Sequence, residues 1–440
     1  MSLRRSLITK SGKRSTSVKA NLEPTILPYP GYIYFLFGVF CVYLVLPIVD
    51  VPFLGLSISA PIMFIIAVYC IFRPPESWFR TYQKWIFLAI FIWLGIFIST
   101  AANGLLSLGQ DIDQQGFVSL IQYLYWLVVF VVTAYFVGNK KVLQKIPALL
   151  GWSVFILALV RWSEALIFGR LGAWSGVRFL SQNAYGFQFS CFSPFLLILI
   201  FQYRGTKRYL AFATMLVVWG AAAINGSRGS WVAIALGLVS ILLVFFFSNP
   251  RRFAGLLTIL ILTLGVGLVA WRSLPKIATA VDIRFSALVN AQDDKSVIAR
   301  ELLVQKGIRL FENSPLIGVG ASRFTKETIP LDMPKELAHL NQSKFDIKSA
   351  HNSYIAFLAE IGLVGSLPLA LLIIIMLFSG FNTAVFALKK NDMVPLAAFT
   401  AFIQMSIHMW VISAFGGTGP WFIYGLVAGM IMVYQKKVTT

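Results

Sequence analysis

Twelve stretches of this chain are too apolar to rest in water. They run at roughly 31–49, 53–72, 85–104, 116–138, 147–168, 183–203, 209–224, 231–248, 254–271, 362–381, 393–415 and 421–434. A helix crossing the hydrocarbon core of a bilayer needs about 20 mostly apolar residues. Inside lipid, every backbone N–H and C=O must find its partner within the protein, which leaves the α-helix as the structure for a run of this kind. The expected fold class is therefore an all-α membrane protein with about 12 transmembrane helices. The segments at 209–224 and 421–434 are the shortest for a full span. A soluble domain is excluded, because 58% of the residues are hydrophobic and 12% charged, with a mean hydropathy of +0.79.

The net charge of +20 would suit a nucleic-acid partner if it were clustered, but its placement points elsewhere. Lys and Arg sit in short loops beside the apolar runs: Arg73, Arg80 and Lys84; Lys140, Lys141 and Lys145; Arg204, Lys207 and Arg208; Arg251 and Arg252; Lys389 and Lys390; Lys436 and Lys437. The loops between them are poor in Lys and hold Asp111 and Asp113. Such alternation sets orientation in membranes and places both termini in the cytoplasm. The partners it implies are membrane lipids, with no nucleic acid.

The segment division follows. Residues 1–28, polar and basic without an apolar run, read as a disordered cytoplasmic tail and not a cleaved signal peptide. Residues 29–271 hold transmembrane helices 1–9. Residues 272–350 form one large extracytoplasmic loop, and a loop of that length is usually functional. Residues 351–434 hold helices 10–12, and 435–440 a second cytoplasmic tail. Within the large loop, Val297, Ile298, Leu302, Leu303, Ile308 and Phe311 recur at helical spacing and predict an amphipathic helix.

Few residues could carry chemistry. Cys41, Cys70 and Cys191 all lie in apolar runs and form neither a disulfide framework nor a metal pair. His351 closes the large loop just before a hydrophobic helix, where a proton acceptor could serve a membrane-bound substrate. Asn352 or Ser353 would cap that helix, whose positive end disfavours imidazolium. Arg228 sits in a tight turn between two spans, flanked by Gly226 and Gly229, and Arg300 lies in the amphipathic run. Arg170 and Arg178 precede Asn183 in another outer loop. Arginines on the outer face oppose the orientation bias, and the guanidinium fork matches phosphate oxygens. Outside the cytoplasm there is no ATP, so a transferase there needs an already activated donor, such as a sugar on a lipid diphosphate.

Other polar residues have plainer readings. Arg161 and Glu164, three apart in the fifth span, can pair on one helix face. His408 fits a helix–helix hydrogen bond, and His339 has no motif around it. Asp111 and Asp113 imitate a metal-binding Asp-x-Asp pair but read as solvated loop carboxylates. No cluster of His, Cys and carboxylate suggests a metal, so neither metal nor cofactor is expected.

The run His351-Asn352, then nine residues, then Gly362-Leu363-Val364-Gly365 resembles the signature of bacterial O-antigen ligases, within the ligase and polymerase superfamily. The Ser227-Arg228-Gly229 turn and the segment from Arg300 to Gly320 resemble it too. That resemblance implies a polytopic GT-C type glycosyltransferase of the inner membrane, inverting and metal-independent, with a periplasmic site. It implies transfer of a glycan from undecaprenyl diphosphate to a lipid A–core hydroxyl, with His351 as base and Arg228 and Arg300 binding diphosphate. Arg170, Arg178 and Asn183 are further candidates for substrate contact. A polymerase joining lipid-linked glycans would share these motifs. A transporter or flippase would instead show polar residues deep in several spans, or paired broken helices.

Overall fold

The computed structural model describes residues 29–46, 59–73, 78–104, 114–167, 180–273, 279, 295–332 and 348–435. Among these residues the regular structure is helical, without a strand, and each of the twelve hydrophobic segments falls on a helix. They are α1 (Gly31–Val45), α2 (Ser59–Phe72), α3 (Trp78–Gly104), α4 (Gln114–Val137), α6 (Ile146–Ile167), α7 (Gln182–Gln202), α8 (Thr206–Asn225), α9 (Arg228–Ser248), α10 (Pro250–Ser273), α12 (Ser353–Lys389), α13 (Val394–His408) and α14 (Thr418–Gln435). Two more lie between them: the single turn α5 (Lys140–Leu143) and the amphipathic α11 (Lys295–Asn313).

This is an all-α membrane protein. Seven helices among the described residues are long and apolar enough to cross a bilayer, α12 reaching 37 residues, while α1, α2 and α13 are apolar but shorter. The outward faces agree. Phe72 is 80% exposed and Phe35 70%, which water would penalise and lipid tails do not. Hydrocarbon outside also removes the hydrophobic drive between helices, so close packing takes its place. On α14, Gly425 and Gly429 stand one turn apart, and a Cβ on either would lie 2.5 Å from a carbonyl oxygen of α4, Phe130 O and Ala134 O respectively.

Several buried polar groups are paired inside the bundle. Arg161 and Glu164 form the expected ion pair at 3.8 Å, and Tyr185 on α7 donates to Glu164 Oε1 at 2.8 Å. His408 shares a hydrogen bond of 3.0 Å with Ser190 on α7, the helix–helix link expected for it.

The amphipathic helix differs from expectation in one respect. Ile298, Leu302, Leu303 and Leu310 are buried, but Ile308 is 43% exposed. The buried stripe runs instead through Lys306 and Gly307. The Lys306 ammonium lies 5.1 Å from the Phe324 ring centroid, a face that accepts a cation. At 3.6 residues per turn, Ile308 points away from that stripe.

The element that positions the site is a break in α12. Gly362 has φ +64, ψ −164 inside the helix, a backbone that only glycine adopts without strain. The break frees helical carbonyls and amides, and the chain at 315–320 takes them up as a strand would. Val319 N donates to Ala359 O at 3.0 Å and Gly320 N to Glu360 O at 2.8 Å; Leu363 N donates to Pro315 O at 2.9 Å and Val364 N to Leu316 O at 3.0 Å. Ser99 and Asn103 of α3 reinforce the junction, Ser99 Oγ donating to Glu360 O and Asn103 Nδ2 to Gly318 O. Gly365, one turn further on, lets α12 lie directly on Gly95 of α3. The spacing from Gly362 to Gly365 is thus one kink followed by one close helix crossing.

Candidate functional site

His351 enters the site through strained backbone. Its φ is +49, in the left-handed region that costs a non-glycine residue energy and recurs at functional positions. The three residues after it hold that conformation. Asn352 caps α12, its side-chain oxygen accepting from Tyr354 N and Ile355 N at 3.1 Å each. Ser353 N donates to Met409 O at 2.9 Å, its Oγ donates to Ile412 O at 2.6 Å, and Ala414 N donates back to that Oγ at 2.8 Å. Tyr354 OH donates to Ser406 O at 2.9 Å. The start of α12 is therefore stitched to the end of α13 and the turn beyond it.

That turn divides two cavities. The first, about 430 Å³, is lined by His351 and Ser349, by Asn183 and Gln188 of α7, and by Ile412 and residues 416–420. The second, about 540 Å³, is lined by Arg228 and Val232 of α9, by Arg300 and Glu301 of α11, and by Trp410 and Val411. Arg228 opens α9 immediately after Gly226, a left-handed residue at φ 70 that ends α8, and Ser227. This is the tight turn its glycines foretold. Arg300 reaches the same cavity from the first turns of α11.

The structure thus brings Arg228 and Arg300 together, and His351 together with Asn183, on opposite sides of residues 410–412. The two groups remain electrostatically connected. Burial pushes the His351 imidazole below its ordinary pKa, and the charges of Arg300 and Lys348 push the same way. All three effects favour the neutral ring, the form that can accept a proton. The sequence places a helix end beside the ring; burial and the two cations act in the same direction. Arg170, Arg178, His339, Asp111 and Asp113 lie outside the described residues.

The second half of the motif is connected to the site through α12. Glu360, two residues before the break, accepts a hydrogen bond from Phe324 N at 3.1 Å, which ties the chain after 320 to the helix that His351 begins.

Residues 210–370 match the model of a family described as O-antigen ligase. The segment is an O-antigen ligase family domain. No curated protein matches the chain. The O-antigen ligase domain takes in α9, α11, Arg228, Arg300, His351 and the break at Gly362. It supports a ligase- or polymerase-type function, indicates a membrane glycosyltransferase-like enzyme, and implies lipid-linked glycan substrates. One wall of the His351 cavity lies beyond it. Gln188 and the turn Gly416-Gly417-Thr418-Gly419 went unnoticed in the sequence; the run of three glycines around a threonine was the available signal.

Proposed function

We propose that this chain is an inverting, metal-independent glycosyltransferase of the O-antigen ligase type. It moves a glycan from undecaprenyl diphosphate to a lipid A–core hydroxyl at the periplasmic face of the inner membrane. The observation that carries this reading is the pairing of a neutral imidazole in one cavity with two guanidinium groups in the next, joined through Arg300.

In this mechanism His351 accepts the proton of the acceptor hydroxyl as that oxygen bonds to the anomeric carbon. The bond from that carbon to the diphosphate oxygen breaks, and lipid diphosphate departs toward Arg228 and Arg300. Its developing charge is met by groups already in place, which is where preorganised electrostatics contribute most. Attack opposite the leaving group inverts the anomeric centre. The guanidinium pair supplies the positive charge that a divalent ion provides elsewhere. Asn183, beside His351, contacts the acceptor; Arg170 and Arg178 are proposed to extend the site from the neighbouring loop. In the same proposal the tails 1–28 and 435–440 are cytoplasmic, 272–350 is the periplasmic loop, and the helix groups 29–271 and 351–434 embed it in a GT-C type architecture.

The test is reconstitution in liposomes with an undecaprenyl diphosphate-linked glycan, offered lipid A–core or a second lipid-linked glycan, with and without EDTA. Transfer to lipid A–core that survives EDTA is the expected result. Transfer to the second lipid-linked glycan alone makes the protein a polymerase, and transfer to neither overturns the proposal.

A further inference from the structure

We propose that the cavity beside His351 is the acceptor subsite and that it selects an uncharged sugar unit, the charged diphosphate being confined to the far side of residues 410–412. The inference rests on the transferase reading above and names the ligand of one half of that site.

The two cavities differ in chemistry. The one holding Arg228 and Arg300 also contains Glu301, and its remaining walls are largely apolar, with Val232, Val297 and Trp410. The His351 cavity has no Lys, Arg, Asp or Glu among its described lining residues. It carries neutral hydrogen-bonding groups instead, among them Asn183, Gln188, Ser349 and Thr418. A diphosphate placed there would lose its water and find no cation among the described lining residues, which is strongly unfavourable. A neutral sugar ring has the opposite requirements. Each hydroxyl both donates and accepts, so it suits amide and hydroxyl side chains. Its C–H faces suit aromatic rings, and Tyr43 and Phe187 line the same cavity. The volume of about 430 Å³ falls within the range of small-ligand pockets, about 300–1,000 Å³.

One group in this wall is poised for a ligand. Gln188 donates through Nε2 to Leu44 O at 3.1 Å. That bond fixes which end of the amide faces α1, because a carbonyl needs a donor. The other end, Oε1, is buried and has no hydrogen-bond partner among the described residues. A buried acceptor left unpaired is unfavourable, and a side-chain rotation that turns it into the cavity lets a sugar hydroxyl remove the deficit. His351 in the same cavity would then face the hydroxyl that attacks.

The experiment uses the full-length protein in liposomes with undecaprenyl diphosphate-linked glycan as donor, and whichever of lipid A–core or a second lipid-linked glycan the native protein glycosylates. The variants are Gln188→Met and Thr418→Val, each close in volume to the native residue. Losing one neutral hydrogen bond to bound acceptor should raise the acceptor KM about fivefold in each, with donor Kd unchanged. Thr418→Val leaves the Leu44 contact intact, so it reports on the cavity even if Gln188→Met lowers the melting temperature. An acceptor KM unchanged in Thr418→Val, or a donor Kd raised in either variant, overturns the assignment. Failure of the underlying reading looks different, since the native protein would then glycosylate neither acceptor.

Discussion

Gly362→Ala is the sharpest test of how this fold builds its site. A Cβ at that position would stand 2.5 Å from Gly318 N, Leu316 C and Leu316 O. All three are backbone atoms, so no side-chain rotation relieves the clash. The backbone at φ +64, ψ −164 is essentially reserved for glycine and adds about 1–3 kcal/mol for any residue with a Cβ. If the 315–320 segment moves away, the hydrogen bonds from Leu363 N to Pro315 O and from Val364 N to Leu316 O are lost, at about 0.5–1.5 kcal/mol each. The total is on the order of 3 kcal/mol. Two measurements read it. The melting temperature of the purified protein should fall by several degrees. Hydrogen exchange should speed up at Val319 and Gly320, whose amides donate across the break to Ala359 and Glu360. Gly255→Ala is the control, because nothing lies within 4 Å of its added Cβ and alanine favours a helix. A Gly362→Ala protein with native melting and native protection at Val319 and Gly320 would refute the argument.

His351→Ala should lower the transfer rate by about 10²–10⁴-fold, the usual contribution of a general base, with donor binding retained; a native rate would leave the residue as part of the turn only. Arg228→Ala and Arg300→Ala should each abolish most transfer, with lysine rescuing in part because it lacks the planar fork; full activity in either alanine variant removes that residue from the site. The acidic limb of the kcat/KM profile should lie below the ordinary imidazole range, about 6.5, because burial, Arg300 and Lys348 all lower the His351 pKa. Lys348→Gln removes one repelling charge, raises that pKa and moves the limb to higher pH, more at low salt than at high; a limb that stays put or moves to lower pH contradicts the assignment. For topology, cysteine placed at position 330 should react with reagent from the periplasmic side and at position 390 from the cytoplasmic side; the reverse pattern turns the whole site around.

The helices of this protein were legible in its sequence because lipid imposes a severe rule. Wherever an apolar run is long enough to enter a bilayer, its backbone must satisfy itself, and each of the twelve runs carries a helix among the described residues. The start of α12 was legible too, since Asn352 is a strong capping residue and takes that role. So was the Arg161–Glu164 pair, because three residues along a helix is a contact distance. The buried stripe of α11 was only partly legible. Apolar type alone put Ile308 inside, whereas the Phe324 ring and Ile355, which touches Gly307, place Lys306 and Gly307 there.

The site was a different matter. Local pattern singled out His351, Arg228 and Arg300, but their distribution between two cavities depends on residues 410–412, which α13 delivers from far along the chain. Gln188 became part of the site only when α7 packed against α13, where Ser190 and His408 share a hydrogen bond, and nothing next to it in sequence marks it. The lowered pKa of His351 has the same origin. Burial and two cations set it, and all three are products of where helices meet. Composition and periodicity are properties of neighbouring residues, so sequence could determine that this chain is a helical membrane protein with a histidine at a helix start. Which groups share a cavity, and what charge each one feels, depends on contacts between distant segments, and only the tertiary structure decides those.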